Sequence, residues 1–239
     1  PAHPSSSLFS TFEGELLKFD WQHNLYLAEN NTLTVGLETE EEKGESFSSS
    51  TSAFGTFVSE FGPERVRTNS LYVQDQWDPV ENLFLTAGVR TDDHEDFGSE
   101  TTYRLAAAYL VEKTGTKLRA TFGTGFKAPS LYQLHASSSF VTGNPNLDPE
   151  ESEGWDVGIE ELLLDERVKL SVTYFDNDIE DLIQFDSATS TYLNVAEAET
   201  DGIETRLSVD PVEGVETWVS YTYQHTRDKT TGLELLRRP

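Results

Sequence analysis

The sequence predicts an all-β protein: an antiparallel up-and-down transmembrane β-barrel, here a partial wall of about ten strands. Three observations carry that prediction. Hydrophobicity alternates with a period of two along most of the 239 residues, as a sheet with one apolar and one polar face requires. Short turns alternate with long, acidic or Ser-rich connections, the pattern of a barrel with one tight rim and one looped rim. No run of 18 apolar residues exists, so a transmembrane helix is excluded while a spanning strand is not.

The strands fall near residues 13–27, 31–41, 65–78, 81–92, 101–112, 116–127, 153–164, 167–178, 191–209 and 214–226. Leu83, Leu85, Ala87 and Val89 alternate with Phe84, Thr86, Gly88 and Arg90. Leu118, Ala120 and Phe122 alternate with Lys117, Arg119 and Thr121, and Trp155, Val157 and Ile159 with Asp156, Gly158 and Glu160. Val168, Leu170, Val172 and Tyr174 alternate with Lys169, Ser171 and Thr173, and Ile203, Leu207 and Val209 with Glu204, Arg206 and Ser208. The stretch Leu105–Val111 has helical propensity, but strands with tight turns flank it, so it reads as strand. Short turns lie at Ala28–Asn31, Asp78–Asn82, Glu112–Thr116, Leu164–Arg167 and Asp210–Gly214, all rich in turn formers. Longer connections are expected at Glu40–Glu64, Asp92–Glu100, Pro129–Ser152, Asp176–Leu193 and from Thr226 onward. A soluble acidic β-sandwich would also alternate, but has no reason to segregate loop lengths so regularly.

Charge narrows the partners. Seventeen Lys+Arg against 43 Asp+Glu leave a net −26, which repels nucleic-acid phosphates, so no nucleic-acid partner is expected. A carboxylate-rich, lysine-poor surface suits a salty medium. There is no cysteine, which removes thiol catalysis, Cys-based zinc sites and disulfides. No HExxH, G-x-S-x-G or phosphate-binding glycine loop is present, and nothing points to an enzyme. There is also no methionine, and the chain reads as a fragment.

Asp176, Asp178 and Glu180 have the first spacings of a calcium loop, but Asp181 and Ser187 occupy the positions of its glycine and bidentate glutamate, which excludes an EF-hand. A looser calcium site remains open at Asp176 and Asp178, and another at Asp92, Asp93 and Asp96. Both also read as solvated acidic loop. Arg90, Arg104, Arg119 and Arg206 fall in the polar phase of four strands, where a barrel would turn them toward its lumen. Tyr132 and Phe140 are candidates for substrate contact at the looped rim, or for packing loops together.

The blocks GTGFKAPSLYQL (Gly123–Leu134) and GNPNLDPEESEGWDVGIE (Gly143–Glu160) resemble the TonB-dependent outer-membrane receptors. LYVQDQWDP (Leu71–Pro79), YFDNDIEDLI (Tyr174–Ile183), YLNVAEAETDGIE (Tyr192–Glu204) and TGLELLRRP (Thr231–Pro239) extend the likeness in order, closest to the cobalamin-receptor type. The resemblance implies a 22-stranded barrel with an N-terminal plug, of which residues 1–239 supply part of the wall, the plug and final strands lying outside them. It also implies a place in the cell outer membrane, with outer-membrane lipid, a small nutrient ligand of the cobalamin or ferric-siderophore kind, and TonB (through an N-terminal box absent here) as partners. No cofactor is implied, and the arginines could pair with plug carboxylates. The remaining classes are a passive porin- or adhesin-like barrel and a soluble β-domain binding carbohydrate or calcium.

Overall fold

A computed structural model describes residues 7–53, 55–138, 140–212 and 214–234. The last five residues of the TGLELLRRP block lie outside the described residues. The elements run β1 (Ser7–Ala28), β2 (Asn31–Ser52), β3 (Gly55–Val80), β4 (Leu83–His94), β5 (Gly98–Val111), β6 (Thr116–Lys127), α1 (Leu131–His135), β7 (Ser137–Ser138), β8 (Glu150–Leu163), β9 (Val168–Asp186), β10 (Thr191–Val212) and β11 (Val215–Asp228). Ten strands form one meander in chain order, each antiparallel to the next, and the two-residue β7 pairs with β3. The expected ten-strand wall and the strand at Leu105–Val111 are both present. No helix among the described residues is long and apolar enough to cross a membrane.

Three expected connections are mostly strand. β2 runs on to Ser52 and β3 begins at Gly55, β4 runs on to His94, and β9 and β10 leave a short turn at 187–190. Where both faces of a hairpin meet water, its side chains lose the apolar–polar contrast while the backbone ladder continues unchanged, so alternation cannot reveal it. Pro129 does end β6 and open the one long connection, since it cannot donate to the ladder.

The two faces are separated along every strand. Leu33, Val35 and Leu37 share one face with Val73, Leu85, Val89, Leu105, Phe122, Val157 and Ile203, because each lies in the same pairing phase. That apolar band stops abruptly: Trp155 is followed by Glu153 and Glu151, Tyr174 by Asp176 and Asp178, Ile203 by Asp201 and Glu199. Aromatic rings mark the boundary, with Trp155 and Tyr174 5.4 Å apart, as amphipathic rings do at a membrane interface. The strands are staggered. One row of paired residues passes from Asp75 near the short-turn rim through Ala87, Leu105, Phe122, Trp155, Asp176 and Asp201 to His225 near the far end of β11. Such a climb is the shear of tilted barrel strands.

On the polar face, large side chains lie flat over glycines of the neighbouring strand. The Tyr72 ring occupies the place where a Cβ on Gly36 would sit, and Phe175 and Arg119 likewise cover Gly202 and Gly158. Tyr72 Oη reaches Gln22 Oε1 at 3.2 Å, so the ring tethers β3 across β2 to β1. Gly36→Leu should therefore destabilise the full-length barrel by about 1–3 kcal/mol, the usual range for overpacking. Gly88→Ala, whose Cβ would meet nothing closer than 3.6 Å, should be tolerated. Urea midpoints followed by heat-modifiable gel migration compare the two.

Candidate functional site

The polar face is closed over at the long-hairpin rim by the connection between β6 and β8. Ser130 caps α1: its hydroxyl accepts from Gln133 N while Gln133 Oε1 accepts from Ser130 N, at 3.3 and 2.8 Å. This reciprocal Ser-x-x-Gln box is the signal in the sequence that marks the helix, which alternation alone misses. α1 then buries Leu131 in one cluster with Phe61 and Val66 of β3, and Leu134 is buried as well. β7 adds itself to β3 at Ser59 and Glu60.

The same connection reaches β10. Asn144 Nδ2 donates to Tyr192 O at 2.9 Å, and Asp148 N donates to Asn194 Oδ1 at 3.0 Å while Asn194 Nδ2 donates back to Asp148 O at 2.9 Å. The Tyr132 ring meets both Phe61 of β3 and Tyr192 of β10, which have five strands between them in the meander, so the sheet curls strongly. The connection forms a strap across the concave face.

The strap carries both candidate contact residues. Tyr132 packs against Phe61 (ring centroids 5.9 Å) and Tyr192 (6.5 Å), and Tyr192 packs on Phe185 at 5.4 Å. Four rings from three segments thus make one continuous aromatic ridge. Phe140 lies apart from it, 63% exposed, with Phe57 at 5.6 Å. Phe61, Phe185 and Tyr192 join Tyr132 only through the fold, since more than 50 residues separate Tyr132 from each of them.

Below the strap, Arg90, Arg104, Arg119 and Arg206 all lie in the polar phase of the ladder, but their surroundings differ. Arg90 is bound within the wall. Its Nη2 donates to Glu38 Oε1, Ser70 Oγ and Asp92 Oδ1 at 2.9, 2.8 and 2.8 Å, and its Nε to the Asp92 carboxylate. Lys18 pairs with the same Glu38 at 2.9 Å, so the network spans β1 to β4. Arg119 donates to Thr173 at 2.6 Å, and Arg206 lies over the Trp218 ring at 4.5 Å. Neither these two nor Arg104 forms an ion pair among the described residues.

The carboxylates considered for calcium are not brought together. Asp92 is 3% exposed and saturated by Arg90 and Ser70. Asp93 accepts from Ser99, and Asp96 N donates to His94 Nδ1. Asp176 and Asp178 lie on the opposite, apolar-phase face, where Lys229 pairs with Asp178 at 2.5 Å. No group of three or more His, Asp or Glu among the described residues is arranged to hold a metal ion. The period of two disperses the charge density of the sequence over two faces.

At the tip of the β4–β5 hairpin, His94 is 7% exposed and stacked on Phe97 at 3.9 Å. Burial pushes its imidazole below the ordinary value, against the opposing pull of Asp96 and Glu95.

The β-barrel model of the TonB-dependent receptor-like family matches residues 4–239. The chain belongs to this family of outer-membrane receptors and transporters. The siderophore receptor PirA from Pseudomonas aeruginosa is 25% identical with a TM-score of 0.70, over 92% of this chain and 44% of that one. PirA from Acinetobacter baumannii is 20% identical with a TM-score of 0.74, over 94% and 38%. The copper transporter OprC is 13% identical with a TM-score of 0.75, over 95% and 39%. The chain thus spans less than half the length of each of these structures.

Two predictions follow from the wall and the hairpin tip. Arg90→Met should cost roughly 1–3 kcal/mol by leaving buried Asp92 without its donor, and adding Asp92→Asn should restore part of it. Chemical denaturation of the full-length protein measures both. A buried imidazole with a lowered pKa contributes stability that is present above its unfolded value and lost as pH falls through the interval below it. Hydrogen-exchange protection at residues 93–98, taken relative to the intrinsic exchange rate, should therefore fall as pH drops below about 6.5, and His94→Gln should abolish that dependence.

Proposed function

We propose that this chain forms part of the wall and outer mouth of a TonB-dependent transporter that takes up a ferric siderophore across the outer membrane. The observation that carries the reading is the strap: a capped, internally packed segment that holds an aromatic ridge over a curled polar wall. Flat, rigid rings on a pre-ordered segment bind with little ordering cost, which suits a scarce ligand captured before transport. The siderophore reading is favoured over cobalamin by the 25% identity to a siderophore receptor. Transport on this reading is binding plus gated passage, with no covalent step by the chain. TonB and the plug act on it from segments beyond residues 1–239, and Arg104, Arg119 and Arg206 are the groups we assign to plug carboxylates.

The test is uptake by cells expressing the full-length protein, offered radio-iron-labelled catecholate and hydroxamate siderophores and, in parallel, cyanocobalamin. Accumulation of an iron complex that stops on loss of TonB or of the proton-motive force is the expected result. Accumulation that persists without them would make this a passive barrel, and cobalamin-only uptake would overturn the siderophore assignment. Tyr132→Ala should weaken ligand binding about tenfold, the effect of removing one well-packed aromatic anchor. Phe140→Ala should weaken it less, because its ring is the more exposed.

A further inference from the structure

The lipid-facing band is not evenly filled. Two adjacent pairing rows cross β3 to β6, one through Trp77, Leu85, Ala107 and Ala120, the other through Asp75, Ala87, Leu105 and Phe122. Ala87, Ala107 and Ala120 make a floor, and Trp77, Leu105 and Phe122 stand around it, enclosing a groove of about 420 Å³. That volume falls in the ~300–1,000 Å³ range of small-ligand sites. Because the rows climb from strand to strand, the groove runs obliquely away from the short-turn rim rather than around the barrel.

Its lower end is polar. Asp75 points with the apolar face and borders Trp77, at the side of the band where headgroups begin. Asn31 Nδ2 donates to Asp75 Oδ1 at 2.8 Å. No Lys, Arg or His forms an ion pair with Asp75 among the described residues, and Asn31 Oδ1 is buried with no hydrogen-bond partner. Acceptors therefore outnumber donors at one end of an apolar groove. A carboxylate on a lipid-facing surface is costly unless the interface supplies a cation.

We propose that this groove binds one phospholipid with an ammonium headgroup, its acyl chain along the alanine floor and its ammonium at Asp75. The inference rests on the membrane-barrel reading of the family, not on the choice of transported ligand. The groove is continuous with the lipid face, and the headgroup complements the carboxylate. Hydrocarbon gains nothing by leaving other hydrocarbon, so the floor contributes only packing contacts. Selectivity must come from the headgroup.

The full-length protein, purified in mild detergent with equal amounts of phosphatidylethanolamine and phosphatidylglycerol, is examined by native mass spectrometry. The wild type should retain phosphatidylethanolamine over phosphatidylglycerol by about fivefold, the discrimination of a partly exposed ion pair. Asp75→Asn should bring the ratio to near one. Ala107→Phe, which fills the floor with a ring the lipid face accepts, should remove retained lipid of either kind. Ala120→Phe replaces it if heat-modifiable migration shows that the first variant does not fold. Equal retention by the floor-filled variant, or an unchanged headgroup ratio in Asp75→Asn, would overturn the proposal. Siderophore uptake is measured on the same variants, so a failure of lipid selectivity is distinguished from a failure of transport.

Discussion

A backbone that faces hydrocarbon on one side must satisfy its N–H and C=O groups within the sheet, because the bilayer core offers neither donor nor acceptor. The antiparallel ladder from β1 to β11 is the answer to that constraint, and the remaining features depend on it. Once each strand is paired in register with its neighbours, a period of two is enough to send Leu33, Val89, Phe122 and Ile203 to one face and Glu38, Arg90 and Glu204 to the other. A slip of one residue would exchange the two sets. The turns at one rim hold that register, and the stagger from Asp75 to His225 tilts the strands.

Curl follows from tilt, and the site follows from curl. A curled wall crowds side chains on its concave side, and the pairs Tyr72 over Gly36, Phe175 over Gly202 and Arg119 over Gly158 fit bulk into that space. The same crowding desolvates Arg90, Asp92, Ser70 and Glu38 enough to make them one network across three strands. At the rim, curl brings the ends of β3 and β10 within reach of one connection, which is how Phe61, Tyr132, Tyr192 and Phe185 come to share a ridge.

The acidity of the chain takes on a location in this frame. Immediately above the aromatic boundary, the outward positions of β8, β9 and β10 carry Glu151, Glu153, Asp176, Asp178, Glu199 and Asp201. Cations answer some of them from β11 and beyond, Arg227 at Glu199 and Lys229 at Asp178. On the polar face Glu38 is paired within the wall, with Lys18 and Arg90.

By itself the sequence determined the β class, the order and polarity of ten strands, the short turns, the stop at Pro129 and the face to which each arginine belongs. All of these depend on residues close in the chain, through alternation and turn chemistry. Only the tertiary structure decided that β2 and β3 stay paired as far as Ser52 and Gly55, for beyond the apolar band the alternation that marks a strand is lost while the ladder continues. It also decided which arginine is ion-paired within the wall, and that acidic neighbours in sequence such as Asp92 and Asp93 point to opposite faces. The aromatic ridge and the alanine-floored groove belong to the same class. Each is made by residues from separate strands, and their meeting depends on stagger and curl summed over the whole sheet, quantities that no local pattern records.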